Sequence, residues 1–393
     1  QADAERILRD FARRAFRRPV TDAEIRPFLD RVQQQLQQGR SFEQAIRSGL
    51  KGILVSPQFL FLRERGPQLN DFELASRLSY FLWNSMPDEQ LFQLAADNRL
   101  HEPGVLREQV ERLLQDPRSS GFRDSFTGQW LSLRAIDATL PDATLYPEYD
   151  DILKTSMLKE TTLFFNEVLS HDLPVTHFVS SDFTFLNARL ARHYRIPGID
   201  GMEMRKVQLP PDSHRGGLLT MGSILKVTAN GTTTSPIVRG AWVLERILGT
   251  PPPKPPANIS AIEPDIRGAT TIREQLAKHR TEASCASCHR EIDPPGFALE
   301  NFDVIGGWRE HYRATGTARE IDGRRVRVWD GPAVDPADVL PDGRRFANID
   351  EYKQRLLEDK DQLARNLIEK LLAWSTGATP TPVSYTHLRA HET

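Results

Sequence analysis

The only two cysteines of this 393-residue chain fall within one pentapeptide, Cys285-Ala286-Ser287-Cys288-His289. This C-x-x-C-H spacing is the signature of covalent attachment of a c-type haem. In such an arrangement Cys285 and Cys288 form thioethers with the two vinyl groups, and His289 is the proximal ligand of the iron. A segment that carries a bound haem must fold against a large, flat, apolar macrocycle. The pentapeptide therefore constrains the fold more than any other feature of the sequence.

Two other uses of the pentapeptide stay open. Zinc requires four ligands, so Cys285 and Cys288 would need two more from histidines such as His279, His289 and His311. A redox-active or structural disulfide between the two cysteines gives His289 no role. We predict haem c, with its iron, as the cofactor, because the spacing together with the adjacent histidine is specific for it.

The pentapeptide does not determine the sixth ligand of the iron. A thioether sulfur raises the reduction potential relative to a second imidazole, and a vacant position permits oxygen or peroxide chemistry. Met221 is the predicted sixth ligand, and a methionine that fills a gap in the core is the competing interpretation. Weaker alternatives are Met202, Met204, His193, His214 and His311.

Charged side chains around the pentapeptide have both a haem-related and a structural interpretation. Arg215 and Arg239 could bind the propionates or form structural ion pairs. Glu300 and Asp303 could act as acid–base carboxylates beside the iron, or accept hydrogen bonds in caps and loops. The aromatic side chains that could either wall a haem or pack in the core are Phe297, Phe302 and Trp308.

Composition excludes several classes of protein. The chain has 39% apolar and 26% charged residues, as in ordinary soluble proteins. Its formal net charge of −2 argues against a nucleic-acid-binding protein. The sequence contains no apolar run of about 18 residues, so no transmembrane segment is predicted.

We make one prediction for each end of the chain. Haem attachment at C-x-x-C-H takes place outside the bacterial cytoplasm, so we expect an exported protein (periplasmic, cell-surface or secreted) whose signal peptide precedes Gln1. The last eleven residues, 383–393, read VSYTHLRAHET. Back-translated, they match a sequencing adapter, so we expect an adapter scar here. We exclude it from the predicted fold, together with His387 and His391.

Apolar residues at helical spacing predict a mainly α-helical fold with multi-helix domains. Capping boxes start helices at Thr21 and Ser41, and Ser235-Pro236 starts a helix that ends at Gly249. Asn230-Gly231-Thr232 predicts a polar turn. Prolines at 251–256 predict an extended spacer. Further predicted helices are Phe72–Trp83, Tyr149–Leu169, Ile272–His279 and Tyr352–Trp374; predicted strands are Phe183–Leu186 and Arg205–Leu209; residues 316–346 are predicted as loops with one short strand, Val326–Trp329.

Four groups of residues carry a resemblance to a known family. They are Arg14-Ala15-Phe16-Arg17-Arg18-Pro19; Leu78-Ser79-Tyr80-Phe81-Leu82-Trp83 with Pro87-Asp88; Thr234-Ser235-Pro236, Arg239-Gly240 and Trp242-Val243-Leu244-Glu245; and Cys285–His289 with Asp293-Pro294, Gly296-Phe297 and Leu299-Glu300-Asn301-Phe302-Asp303. Together these phrases resemble the planctomycete-type cytochrome-c-linked proteins, which are built from domains of unknown function. The resemblance covers nearly the whole chain up to residue 382.

The resemblance implies a domain order. Residues 1–66 resemble domain 1595, residues 67–200 domain 1592, residues 201–315 the haem-motif domain 1588, and residues 316–382 a truncated domain 1585. Family members usually carry a signal peptide and a further cytochrome-like domain upstream. The resemblance therefore implies export and haem, but it implies no established reaction.

Three functions follow from these observations as hypotheses. The first is an exported c-type haem protein that transfers electrons to a redox partner protein or to an upstream cytochrome domain. The second is a haem peroxidase or oxidase that acts on an extracellular substrate. The third is a non-redox surface scaffold in which the pentapeptide holds a structural ion or a disulfide. Whether the protein is an enzyme stays open.

Overall fold

A computed structural model of the chain describes residues 2–62, 64, 66, 68–253, 271–279, 283–321 and 324–378. Within these residues 59% are helical, in 16 helices with a few strands, which confirms the predicted mainly α-helical class. No described helix is both long and apolar enough to span a bilayer. Half of the predicted proline spacer (254–256) and the expected adapter scar (383–393) lie outside the described residues.

The chain divides into two compact units, the first of residues 1–122 with 372–393 and the second of residues 123–371. The core of the first unit includes the buried side chains of Leu8, Ile25 and Ile53. Both predicted capping boxes are present, because the hydroxyls of Thr21 and Ser41 each accept a hydrogen bond from the backbone N–H three residues later. The helices of this unit are α1 (Ala2–Phe16), α2 (Asp22–Gln37), α3 (Phe42–Leu54), α4 (Pro57–Leu60), α5 (Asp71–Trp83), α6 (Glu89–Ala96) and α7 (Pro103–Gln115).

The second unit has an aromatic core. Trp130, Phe164 and Phe165 surround Phe178, with ring centroids 5.6, 6.3 and 5.9 Å from its own. The helices that begin at or after residue 120 are α8 (Ser120–Trp130), α9 (Asp151–Ser170), α10 (Ala188–Tyr194), α11 (Gly222–Val227), α12 (Pro236–Trp242), α13 (Ile272–His279), α14 (Ala283–Phe297), α15 (Ile349–Glu358) and α16 (Lys360–Thr376). The closing helix predicted over Tyr352–Trp374 is thus two helices, which are separated at Asp359.

Two predicted strands are confirmed: β1 (Phe183–Leu186) pairs with β2 (Arg205–Gln208) in antiparallel register. The prediction of loops with one short strand over 316–346 is wrong. The chain forms a long antiparallel hairpin there, β3 (His311–Ile321) with β4 (Arg324–Ala333), followed by the short pair β5 (Asp338–Val339) and β6 (Arg345–Phe346). Hydrogen bonds between the two strands satisfy the backbone N–H and C=O groups of this polar segment. The composition of the segment did not indicate this pairing.

Local signals place the helix that precedes the proline segment. The Ser235 hydroxyl accepts a hydrogen bond from the N–H of Val238, and Pro236 occupies the first helical position, as predicted. After α12 the chain continues as a π-helical stretch, Val243–Leu248. It ends at Gly249, whose positive φ of 70° favours glycine.

The second unit contains a buried carboxyl group, that of Glu160. Thr184 Oγ1 and the Tyr194 hydroxyl donate to the two oxygens of Glu160, at 2.7 and 2.6 Å. Tyr194 in turn accepts from the N–H of Gly222 at 2.6 Å, and the Arg215 guanidinium lies 3.5 Å from the centroid of its ring. Removal of Glu160 from water outweighs these favourable contacts, so its pKa is raised to about 7.

The buried Glu160 should make unfolding depend on pH. Its pKa rises from an ordinary 4.5 to about 7 on folding, so between these values the folded state holds a proton that the unfolded state releases. The contribution of this proton to the free energy of unfolding is therefore complete below pH 4.5. It falls by about 3 kcal/mol as the pH rises through 7. Urea unfolding from pH 4.5 to 8 measures it. Glu160→Gln should remove this part of the decline, and an unchanged pH dependence in that variant would contradict the prediction.

Candidate functional site

The C-x-x-C-H pentapeptide lies within helix α14. Position 285 lies three residues before position 288 and four before position 289, so the three positions fall within about 100° of the helix circumference, on one face. Cys288 is a free thiol of intermediate exposure, and His289 is buried. The backbone of Cys285 belongs to the same helix, while its side chain lies outside the described part of the structure. One helical face thus presents the three positions that were predicted to hold a haem.

A buried carboxylate engages the imidazole of His289. Its Nδ1 lies 2.9 Å from Oδ1 of Asp293, which is one helical turn further along α14 and fully buried. When Nδ1 carries the donated proton, the lone pair of the neutral ring is on Nε2. This arrangement of an imidazole and a carboxylate is typical of histidines that ligate a metal. No role was predicted for Asp293, although its spacing of four residues from His289 was a usable signal in the sequence.

The pentapeptide helix packs directly against α12 through two glycines. A Cβ added to Gly240 would lie 1.7 Å from the carbonyl oxygen of Ile292, and one added to Gly296 would lie 1.9 Å from that of Pro236. Only glycine permits such a close approach of two backbones. Gly240 and Gly296 therefore set the distance between α12 and α14.

Arg239 holds the turn that follows α14. Its guanidinium is fully buried and donates to the carbonyl oxygens of Leu299 (2.7 Å), Phe302 (2.7 Å) and Asp303 (2.9 Å). It also pairs with Glu300 at 3.3 Å. Burial lowers the pKa of Arg239 to about 10. Because the side chain is fully buried and both of its Nη groups donate to protein oxygens, the structural interpretation of Arg239 applies rather than propionate binding.

Glu300 is likewise part of a buried ion and hydrogen-bond network. It accepts from Thr234 Oγ1 at 2.7 Å, from Arg309 Nη2 at 3.2 Å and from the Tyr312 hydroxyl at 3.2 Å. Burial, together with the nearby Glu300 charge, raises the pKa of Tyr312. The structure therefore places Glu300 in a structural role, and the acid–base interpretation is not supported.

Asp303 and Arg215 also have structural partners. Asp303 accepts from the N–H groups of Ile305 and Gly307, at 3.0 and 2.7 Å. Arg215 donates to the carbonyl oxygens of Thr220 and Gly306, at 2.8 and 2.7 Å. These bonds order the backbone of the 213–221 and 303–307 segments, so the structural interpretation holds for both side chains.

The predicted sixth ligand, Met221, is buried at the start of α11. Helix α11 packs against α9, whereas α14 packs against α12. Met221 as an iron ligand therefore stays a prediction. Of the alternative ligands, Met202 and His311 are exposed, and Met204 packs against the cluster around Leu153. The other two already have partners in the protein. His193 Nε2 lies 2.8 Å from the carbonyl oxygen of Ile305, and the ring of His214 stacks on Trp308.

Aromatic side chains after the pentapeptide have partners within the protein. Phe302 and Trp308 meet edge to face, with centroids 5.3 Å apart, and the Arg273 guanidinium lies 3.8 Å from the centroid of Phe297. Among the residues whose side chains the structure describes, no three His, Cys, Asp or Glu groups converge as metal ligands. The side chains of Cys285, which the zinc interpretation needs, and of His279, one of its candidate histidines, lie outside that set.

A cavity of about 530 Å³ lies in the first unit, which does not contain the pentapeptide. Charged side chains that line it form ion pairs with one another: Arg18 pairs with Glu24 at 2.6 Å, and Arg77 pairs with Glu64. Arg17 donates to backbone carbonyls, including that of Gln58 at 2.9 Å. These contacts stabilise the unit and leave the pentapeptide as the stronger functional candidate.

Three family models match the chain in succession. Residues 3–64 match Protein of unknown function (DUF1595), residues 69–196 match Protein of unknown function (DUF1592), and residues 215–312 match Protein of unknown function (DUF1588). No curated protein and no solved structure matches the chain. A domain of type 1585 after residue 316 stays a prediction, as do the predicted domain boundaries. Domains of the three matched types are named as cytochrome-c-associated in planctomycetes, and the chain belongs to the family in which they occur together.

Proposed function

We propose that this chain is an exported c-type haem protein that transfers electrons through one haem at Cys285, Cys288 and His289. The observation that carries the proposal is the shared helical face of these three positions, with the imidazole held by the buried Asp293. The cytochrome-c-associated naming of the matched domains supports it. Export follows from the compartment in which such haems are attached.

The residues of the chain have distinct roles in this proposal. Cys285 and Cys288 would hold the haem through thioethers, in which the S–H bond of each thiol and the π bond of a vinyl group are replaced by a C–S and a C–H bond without net oxidation or reduction. His289 would bind the iron through Nε2, with Nδ1 as the donor to Asp293. When bound, the haem supplies a one-electron Fe(III)/Fe(II) couple. Met221 is the proposed sixth ligand, and its thioether would favour the reduced iron.

Loss of both thiols should abolish covalent haem. We expect the wild-type chain, matured in a host with c-type attachment machinery, to retain its haem stain after denaturing electrophoresis. Cys285→Ser/Cys288→Ser should lose the stain completely, whereas Cys288→Ser alone should keep a weakened one, because one thioether and His289 remain. Ser287→Ala, within the same pentapeptide, is the matched control and should stain like the wild type.

A colourless wild-type protein would contradict the proposal and favour the scaffold hypothesis. The absorption spectrum of the reduced protein also tests Met221: an unchanged six-coordinate low-spin spectrum in Met221→Ala would remove this residue as the ligand. A spectral change on addition of peroxide would favour the peroxidase alternative over simple electron transfer.

A further inference from the structure

Asp293 lies in a segment of α14 that packs closely against α12. It is fully buried, and the backbone on both sides of it touches α12: the Ile292 carbonyl meets Gly240, and Gly296 meets the Pro236 carbonyl. These two backbone contacts leave the segment 292–296 little room to move relative to α12. The carboxylate is therefore a fixed acceptor for the side chain one turn before it.

The partner of this fixed carboxylate is the imidazole of His289, at 2.9 Å between Nδ1 and Oδ1. A charged acceptor binds an N–H more strongly than a neutral carbonyl does. It therefore draws the Nδ1 proton away from the ring and gives the imidazole partial anionic character. Such a ring donates more electron density through Nε2, which stabilises the more highly charged state of a bound metal.

We propose that Asp293 is a positioning residue for His289, which fixes the rotation and tautomer of the ring and lowers the reduction potential of the iron. This inference rests on the proposed function, because it requires a haem bound through His289. The inference also restricts the electron donor of this protein. The donor, a protein or a small molecule, must have a reduction potential low enough to reduce an iron whose ferric state is stabilised.

Removal of the carboxylate tests the inference in the haem-loaded full chain. Asp293→Asn keeps the shape of the side chain but loses the charge. We expect the midpoint potential, measured by spectroelectrochemical titration, to rise by at least the equivalent of a tenfold change in the ferrous-to-ferric ratio, about 59 mV for one electron. Glu291→Gln removes an exposed charge from the same helix and should shift the potential far less. Asp293→Glu, which restores a carboxylate, should return the potential towards that of the wild type.

The outcomes separate this inference from the proposed function. A wild-type protein without covalent haem overturns both. A haem-loaded Asp293→Asn variant with the potential of Glu291→Gln overturns the role of Asp293 alone. In the reduced wild-type protein, NMR should show a downfield Nδ1 proton of His289 that exchanges slowly with D₂O. A rapidly exchanging proton would also overturn the inference, even if the asparagine variant failed to fold.

Discussion

Arg239→Met is expected to lower the free energy of unfolding by about 3–5 kcal/mol, the usual cost of removing one partner from a buried ion pair. The substitution retains apolar volume but removes the Arg239 donor from the buried carbonyl oxygens of Leu299, Phe302 and Asp303. Those of Leu299 and Asp303 keep a second donor, a backbone N–H. It also removes one of the positive charges that face the buried Glu300. Urea unfolding followed by near-ultraviolet circular dichroism measures the change.

Arg246→Met is the matched control for this variant. Arg246 pairs with Glu245 at 3.2 Å, but both side chains are partly exposed. Pairs of this kind contribute at most about 1 kcal/mol. Equal unfolding midpoints for the two variants would show that the buried network around Arg239 is not important for stability.

Gly240→Ala is expected to destabilise the protein by about 1–3 kcal/mol or more. The added Cβ would lie 1.7 Å from the carbonyl oxygen of Ile292, and the backbone on the other side of this contact cannot rotate away as a flexible side chain could. The helices α12 and α14 would therefore have to separate. Alanine normally stabilises a helix relative to glycine by up to about 1 kcal/mol, so the predicted sign is the opposite of the intrinsic preference.

Gly128→Ala provides the control for the glycine contact. Gly128 is also helical and belongs to the same unit, and the side chain of Arg134 at 3.6 Å is the nearest neighbour of an added Cβ. We expect this variant to be as stable as the wild type or slightly more so. If Gly240→Ala unfolded at the same urea concentration as Gly128→Ala, the close contact between α12 and α14 would be refuted.

Local signals made much of the helical fold predictable. Thr21 and Ser41 start their helices through contacts three residues away, and Gly249 ends its segment through its own backbone conformation. These determinants lie within one turn of the sequence, so the sequence displays them directly. The break at Asp359 was missed because the apolar spacing continues across it.

The β3–β4 hairpin shows where composition misleads. The segment from His311 to Ala333 is rich in Arg, Gly and Asp, which favours a prediction of loops. Pairs such as Ala314 with Trp329 and Thr315 with Val328 belong together only when the two strands are aligned. That alignment is a property of two segments at once, and the pattern of either strand alone is weak.

The candidate site divides in the same way. The spacing of Cys285, Cys288 and His289 is visible in the sequence because the three residues lie within five positions. The hydrogen bond to Asp293 follows from one helical turn and could have been predicted. The partners of Arg239 are about 60 residues away along the chain, so no local pattern could reveal them. This distance is why propionate binding and structural pairing could not be separated from sequence alone.

The most direct test of a haem attached at the pentapeptide is peptide mapping by mass spectrometry of the protein matured with c-type attachment machinery. Trypsin cleaves after Arg280 and Arg290, which leaves residues 281–290, a peptide with both cysteines and His289. We predict that this peptide, and no other, gains the mass of one haem. A peptide 281–290 that carries no haem in a haem-containing protein would contradict the proposed site.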